Sequence, residues 1–129
     1  MTSVLLDTHA WVWSFADDKQ LSPAASAAIM TADAVYVSPI SFFEIGQKIR
    51  LGKWPEMEPF AADLPKILNE QGGYAAPFTA EICLHASLRD WAHRDPFDRL
   101  IASSAECLDL IFVTKDAVFA EISALRCVW

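Results

Sequence analysis

The segment HRDPFDRLIASSA, residues 93–105, sets two aspartates three positions apart around a proline, just ahead of an apolar helical run. Asp95 suits a helix N-cap, Pro96 the first helical position, and Asp98 a site where a carboxylate meets the positive end of the helix dipole. Capping alone accounts for both residue types. A helix start that projects two carboxylates can also hold a divalent cation and orient an attacking water. The choice depends on the other acids of the chain.

Asp7 directly follows the apolar run SVLL, where an aspartate serves equally as a cap on THAWVW or as a chemical group. His9 beside it reads as incidental, on a helix face or at a cleft mouth. Glu44 stands among Phe42, Phe43 and Ile45. Pairing with Lys48, four residues on, is worth only about 0.2–0.5 kcal/mol. That hardly explains an acid in such company, so chemistry is favoured. Asp116 lies two residues past the run ending at Thr114, pointing the same way if strand geometry persists, and can also cap AVFAEI.

Each acid has an ordinary explanation singly, but the set is harder to dismiss. Asp7, Glu44 and Asp116 each follow a strand-like run, and Asp98 sits at a helix start, so all can converge at one edge of a sheet. Two ionised carboxylates about 5 Å apart, at an effective dielectric near 20, repel by about 3 kcal/mol. A fold that gathered four of them would need cations. Four carboxylates match two divalent ions in charge, and all-oxygen ligation favours Mg²⁺ or Mn²⁺ over zinc.

The elements that must position these acids follow from pattern. Strands are expected at Ser3–Leu6, Ala34–Ser38, YAAPF, LDLIFVT and the terminal RCVW. Helices are expected over THAWVWSFADD, LSPAASAAIMTAD and PISFFEIGQKIRLGKW, the last capped by Ser38 with Pro39 in its first turn and Gly52 and Pro55 marking its end. Further helices are expected over EPFAADLPKILNEQGG, ended by Gly72 and Gly73, over TAEICLHASLRDWA with Thr79 as cap, from the opening segment onward, and briefly over KDAVFAEI. Strands and helices alternate without repeats or a long linker. That is the grammar of a mostly parallel sheet flanked by helices, in which ligands bind beyond the carboxyl ends of the strands.

A chain of 129 residues fits one domain, and at that size roughly two-thirds of the unfolded surface can be buried. Its 53% hydrophobic content suits a globule rather than a disordered chain. The net charge of −7 argues against holding nucleic acid by bulk positive charge, but not against a nucleic-acid enzyme whose carboxylates hold cations. Cys83, Cys107 and Cys127 show no zinc spacing and read as buried free thiols in a reducing compartment. With no signal peptide pattern and no apolar run long enough to cross a membrane, a cytoplasmic location is the default. Trp11, Trp13, Phe15 and Trp54 suit core packing or an apolar groove for a partner helix. KIRLGK, residues 48–53, is the one compact basic stretch, suited to an RNA backbone or to a solvated helix end.

LLDTHAWVW, SFFEIGQKIRLGKW, HRDPFDRLIASSA and FVTKDAVF resemble, in order and spacing, the motifs of PIN-domain proteins, and most of all those of small bacterial VapC-type toxins. The resemblance spans Leu5 to Trp129. It implies a single PIN-like domain over residues 1–129, a three-layer α/β/α sandwich around a central, mainly parallel sheet. It also implies a metal-dependent endoribonuclease, the toxin of a type II toxin–antitoxin pair. The family's catalytic and metal-holding acids fall on Asp7, Glu44, Asp98 and Asp116, with Mg²⁺ or Mn²⁺ as the ion. Thr8 and Thr114 match supporting hydroxyls, Asp95 belongs to the DPFDR variant of the third motif, and Arg99 is placed to steady a phosphate or to serve as an ordinary surface or salt-bridging arginine. The implied partners are an RNA substrate, a cognate antitoxin and a second copy of the chain. Two other readings compete. A catalytically inactive module of the same fold would be expected to have lost acids. A phosphoacceptor receiver domain would need an acid pair after strand one and an aspartate ending a middle strand, where this chain has LLDTH and VSPIS.

Overall fold

A computed structural model describes residues 2–16 and 19–129. Strand β1 (Ser3–Leu6) leads into α1 (Thr8–Ala16), then α2 (Pro23–Thr31), β2 (Ala34–Val37) and α3 (Pro39–Arg50). A 3₁₀ segment (Pro55–Asp63) precedes α4 (Leu64–Glu70), β3 (Tyr74–Ala75), α5 (Ala80–Leu88), α6 (Pro96–Cys107) and β4 (Ile111–Val113). A second 3₁₀ turn (Ala117–Glu121) and β5 (Cys127–Val128) follow.

The five strands form one sheet in the order β3-β2-β1-β4-β5, and every pairing is parallel. Alternation along β1 explains the layers. Val4 and Leu6 face a core with Trp11, Val37, Ile45 and Leu68, while Leu5 faces the other with Ile101, Ala102, Ala105 and Phe112. A strand buried on both faces reads as a continuous apolar run, which SVLL is. The α/β/α expectation is borne out, with a sheet that is wholly rather than mainly parallel. From β1 the chain builds outward to β2 and β3, then returns to the other side of β1 for β4 and β5. The crevice at the carboxyl ends of β1 and β4 is therefore the switch point where such folds bind ligands.

Three expectations need correction. The single helix over residues 58–73 is a 3₁₀ segment followed by the short α4. Pro59 and Pro65 each lack the N–H that a continuous α-helix would use. Gly72, at φ 75°, still ends the helical region. The helix from Thr79 stops at Leu88 rather than Ala92, because Arg89 turns to φ −55°, ψ 129° and a neighbouring arginine holds the next segment as a loop. The three cysteines are exposed, not buried, since they fall on outward positions of α5, α6 and the edge strand β5. The expected end of the first helix, Asp17 and Asp18, lies outside the described residues. Among the described residues no helix is long and apolar enough to cross a membrane.

Candidate active site

The carboxyl end of β1 delivers Asp7 to the crevice. Its Oδ1 accepts the backbone N–H of Ala10 at 2.8 Å, and its Oδ2 accepts the hydroxyl of Thr114 at 2.5 Å. Asp7 thus caps α1 and is also tied across the sheet to the end of β4. Thr114 in turn accepts the N–H of Asp116 at 3.1 Å, and Asp116 caps the following 3₁₀ turn through Val118 at 3.0 Å. The capping and chemical readings of these acids coexist: the bonds that satisfy the turn also set where the carboxylates point.

Helix α3 supplies Glu44 from its second turn. The Thr8 hydroxyl, 3% exposed, donates to Glu44 Oε1 at 2.6 Å. It lies 2.9 Å from the fully buried Ser41 hydroxyl, so with its own proton committed to Glu44 it accepts from Ser41. This relay from Ser41 through Thr8 to Glu44 locks one carboxylate oxygen, and hydrogen bonds in such a chain polarise one another. The other oxygen pairs with Lys48 Nζ at 3.0 Å.

The start of α6 brings Asp95 and Asp98. Asp95 Oδ1 accepts the N–H of Phe97 at 2.9 Å and, more loosely, that of Asp98 at 3.4 Å. Asp98 Oδ2 lies 2.7 Å from His93 Nε2. Arg99 does not line the cleft. Its guanidinium donates to the carbonyls of Ala86 at 3.0 Å, Trp91 at 2.7 Å and His93 at 2.9 Å, and also to that of Arg89. It clamps the loop that carries His93 and Asp95, a role neither of its sequence readings foresaw.

Asp7, Glu44, Asp98 and Asp116 line one cleft of about 450 Å³, with Asp95 and Thr8 beside them. Thr114 lies beneath it, 4% exposed. Among the described residues, one trio of ligand-type side chains has its ligand atoms within 4.8 Å of one another: His93, Asp95 and Asp98. The four acids share the cleft more openly, spread around its walls.

The electrostatics follow chiefly from burial. Burial pushes the Asp7 carboxyl above its usual range, against the lowering effect of its bonds from Thr114 and Ala10, and the nearby Glu44 pushes it the same way. Burial likewise raises Asp98 to about 6, opposed by the His93 bond and reinforced by Asp95 and Glu44. Both shifts are led by burial, which disfavours the ionised carboxyl. An all-oxygen set of acids in this condition fits Mg²⁺ or Mn²⁺, and a bound cation would relieve the penalty.

Sequence reasoning missed His93, Ser41, Lys48 as a cleft residue, Trp13 and Lys115. Ser41 and Lys48 were findable, since they sit three and four positions from Glu44 on one helix and so share its face. His93 precedes the helix on an irregular loop, where no periodicity points to Asp98. His9 does sit at the cleft mouth.

A parallel sheet with a carboxylate-lined cleft at its switch point is a frame suited to cation-assisted chemistry. The chain belongs to the PIN domain family, whose sequence model matches residues 4–125. It is 33% identical over 119 residues to Ribonuclease VapC22 of Mycobacterium tuberculosis (strain ATCC 25618 / H37Rv), covering 90% of this chain and 88% of that protein. The fold also matches a chain in the crystal structure of VapBC2 from Rickettsia felis bound to a DNA fragment from their promoter. That match has a TM-score of 0.69 at 17% identity and covers 98% of this chain and 97% of the other. A chain of FitAcB from Neisseria gonorrhoeae matches with a TM-score of 0.67 at 20% identity, over 96% and 95% of the two chains.

Proposed function

We propose that this chain is a Mg²⁺- or Mn²⁺-dependent endoribonuclease, the toxin of a toxin–antitoxin pair, hydrolysing RNA phosphodiester bonds at the cleft between β1 and β4. The observation that carries this reading is the convergence of Asp7, Glu44, Asp98 and Asp116 on one cleft. The relationship to a named ribonuclease supports it, as does the likeness to chains from toxin–antitoxin complexes.

Asp7, Glu44, Asp98 and Asp116 are the residues that would hold the ions. When bound, such ions supply Lewis-acid stabilisation of a phosphoryl oxygen and a more acidic water. The chain's own residues orient the acids. Thr114 and the Ala10 N–H fix both oxygens of Asp7, and Thr8 fixes one of Glu44. His93 and the helix start aim Asp98. Asp95 shapes the helix start and stands close enough to Asp98 to orient a water between them. Lys48 and Lys115 are the cations of the cleft lining and are placed to meet phosphates.

The same reading includes an antitoxin that covers the cleft, a homodimer, a cytoplasmic location and one domain over residues 1–129. An inactive binding module fits less well, because all four acids are present and grouped. The test is to incubate the purified chain with structured RNAs and Mg²⁺ or Mn²⁺, and to titrate the metal by calorimetry. Cleavage abolished by Asp7→Asn supports the proposal. No cleavage of any RNA together with no metal binding refutes it.

A further inference from the structure

One wall of the cleft is aromatic rather than acidic. His9, exposed on the first turn of α1, stacks on Trp54 with ring centroids 4.8 Å apart and planes at 24°. It leans on Trp13, one turn along the helix, at 5.6 Å and 52°. Trp13 in turn meets Trp129 at 5.7 Å. Two ammonium groups flank these rings: Lys48 Nζ is 5.5 Å from the centre of Trp54, and Lys115 Nζ is 5.7 Å from that of Trp13. His9, Trp13, Lys48 and Lys115 line the same cleft as the four acids.

Core packing explains Trp11 and Trp54, which join the cluster on one sheet face, and Trp129 packs against that cluster. It does not explain Trp13, which belongs to neither cluster although it is a large apolar side chain. Nor does it explain an exposed imidazole held in a stack. Rings that line a cleft, bordered by lysines and set beside the acids, suit a group that is flat and joined to a phosphate. A nucleobase is such a group, and stacking tolerates any base because each has a π-face. A peptide covering the cleft would be expected to meet apolar sockets rather than ring faces interleaved with ammonium groups.

We infer that His9 and Trp13, backed by Trp54, form a stacking subsite for an unpaired nucleobase of the substrate strand, next to the phosphate to be cut. Lys48 and Lys115 flank the adjoining phosphates. The inference rests on the ribonuclease reading for its substrate and adds to it the residues that position the strand. His9 and Trp13 are positioning residues and touch no reacting atom.

The experiment uses the whole chain and a single-stranded oligoribonucleotide containing a cleavage point, with a matched oligonucleotide lacking the one base beside that point. For the wild-type chain, loss of the base should raise KM by about 5- to 150-fold, the range of base–aromatic stacking, and abolish most of the tryptophan quenching seen on binding. His9→Ala and Trp13→Ala should raise KM for the intact strand by a similar factor at nearly constant kcat. Trp13→Phe should restore most of the loss, and neither alanine variant should worsen the abasic strand further. Losses that multiply independently, or an unchanged KM, overturn the inference. So do variants that loosen only the antitoxin. His9→Ala, at an exposed position, keeps the test decisive if Trp13→Ala fails to fold. Base-dependent binding that needs His9 and Trp13 without any cleavage upholds this subsite while sinking the nuclease reading. Cleavage indifferent to the base does the reverse, and neither binding nor cleavage removes both.

Discussion

Asp98→Asn offers a stringent test of the site's electrostatics. In the cation-free chain, Asp98 has its acidity moved from 3.8 to about 6, chiefly by burial. The folded state therefore binds this proton more tightly than the unfolded state does. Stability from this group is fully present below about 3.8 and is lost as pH rises through about 6. A displacement of about two pH units, at about 1.36 kcal/mol each, makes ionised Asp98 destabilising by about 3 kcal/mol above pH 7. The side chain is 24% exposed, and water screens part of that, so about 1–3 kcal/mol is expected. Asparagine keeps the shape and can keep the contact to His93, but it carries no charge to desolvate. Urea unfolding of both proteins with EDTA should show the variant more stable by about 1–3 kcal/mol near pH 8, with the gap closing as pH falls toward about 4. Mg²⁺ should reverse the order near pH 8, because wild type gains binding energy on folding and the variant loses most of it. A gap that does not change with pH, or a variant less stable near pH 8 without metal, would refute this account of the cleft.

Other substitutions probe the supports of the site. Asp7→Asn should abolish cleavage yet unfold within about 1 kcal/mol of wild type, since the amide oxygen can still cap Ala10; chemical denaturation beside an RNA cleavage assay checks both. Thr114→Val removes the hydroxyl from Asp7 and should weaken Mg²⁺ or Mn²⁺ binding by about 10- to 100-fold, measured by calorimetry. Arg99→Lys should destabilise by about 2–4 kcal/mol, because an ammonium cannot reach the spread of carbonyls that the planar guanidinium serves. Hydrogen exchange should then show the loop around residues 89–95 opening first.

Much of this was readable locally. The unbroken apolar run SVLL marked β1, because a strand buried on both faces has no polar side to alternate with. Ser38, Thr79 and Asp95 marked helix starts, because capping is satisfied within a few residues of chain. The type and order of Asp7, Glu44, Asp98 and Asp116 pointed to cation chemistry through their charge alone. Composition failed where prolines within a segment or contacts beyond it decide. EPFAADLPKILNEQGG has helical composition, yet two prolines split it. TAEICLHASLRDWA has helical periodicity to its end, yet its last residues are held as loop by bonds from Arg99, on the following helix, to the carbonyls of Arg89 and Trp91.

The acids themselves, their carboxylate chemistry and the alternation of strand and helix are properties of the sequence, set by residue type and near neighbours. That the acids meet is a property of the strand order. Placing β1 between β2 and β4 lets Thr114 reach Asp7 across 107 positions. Side-chain partners from distant segments, such as Thr8 for Glu44, and the burial that moves Asp98 to about 6, arise only once the layers close. Pairing and desolvation depend on what packs around a group, and no local pattern in the chain encodes that.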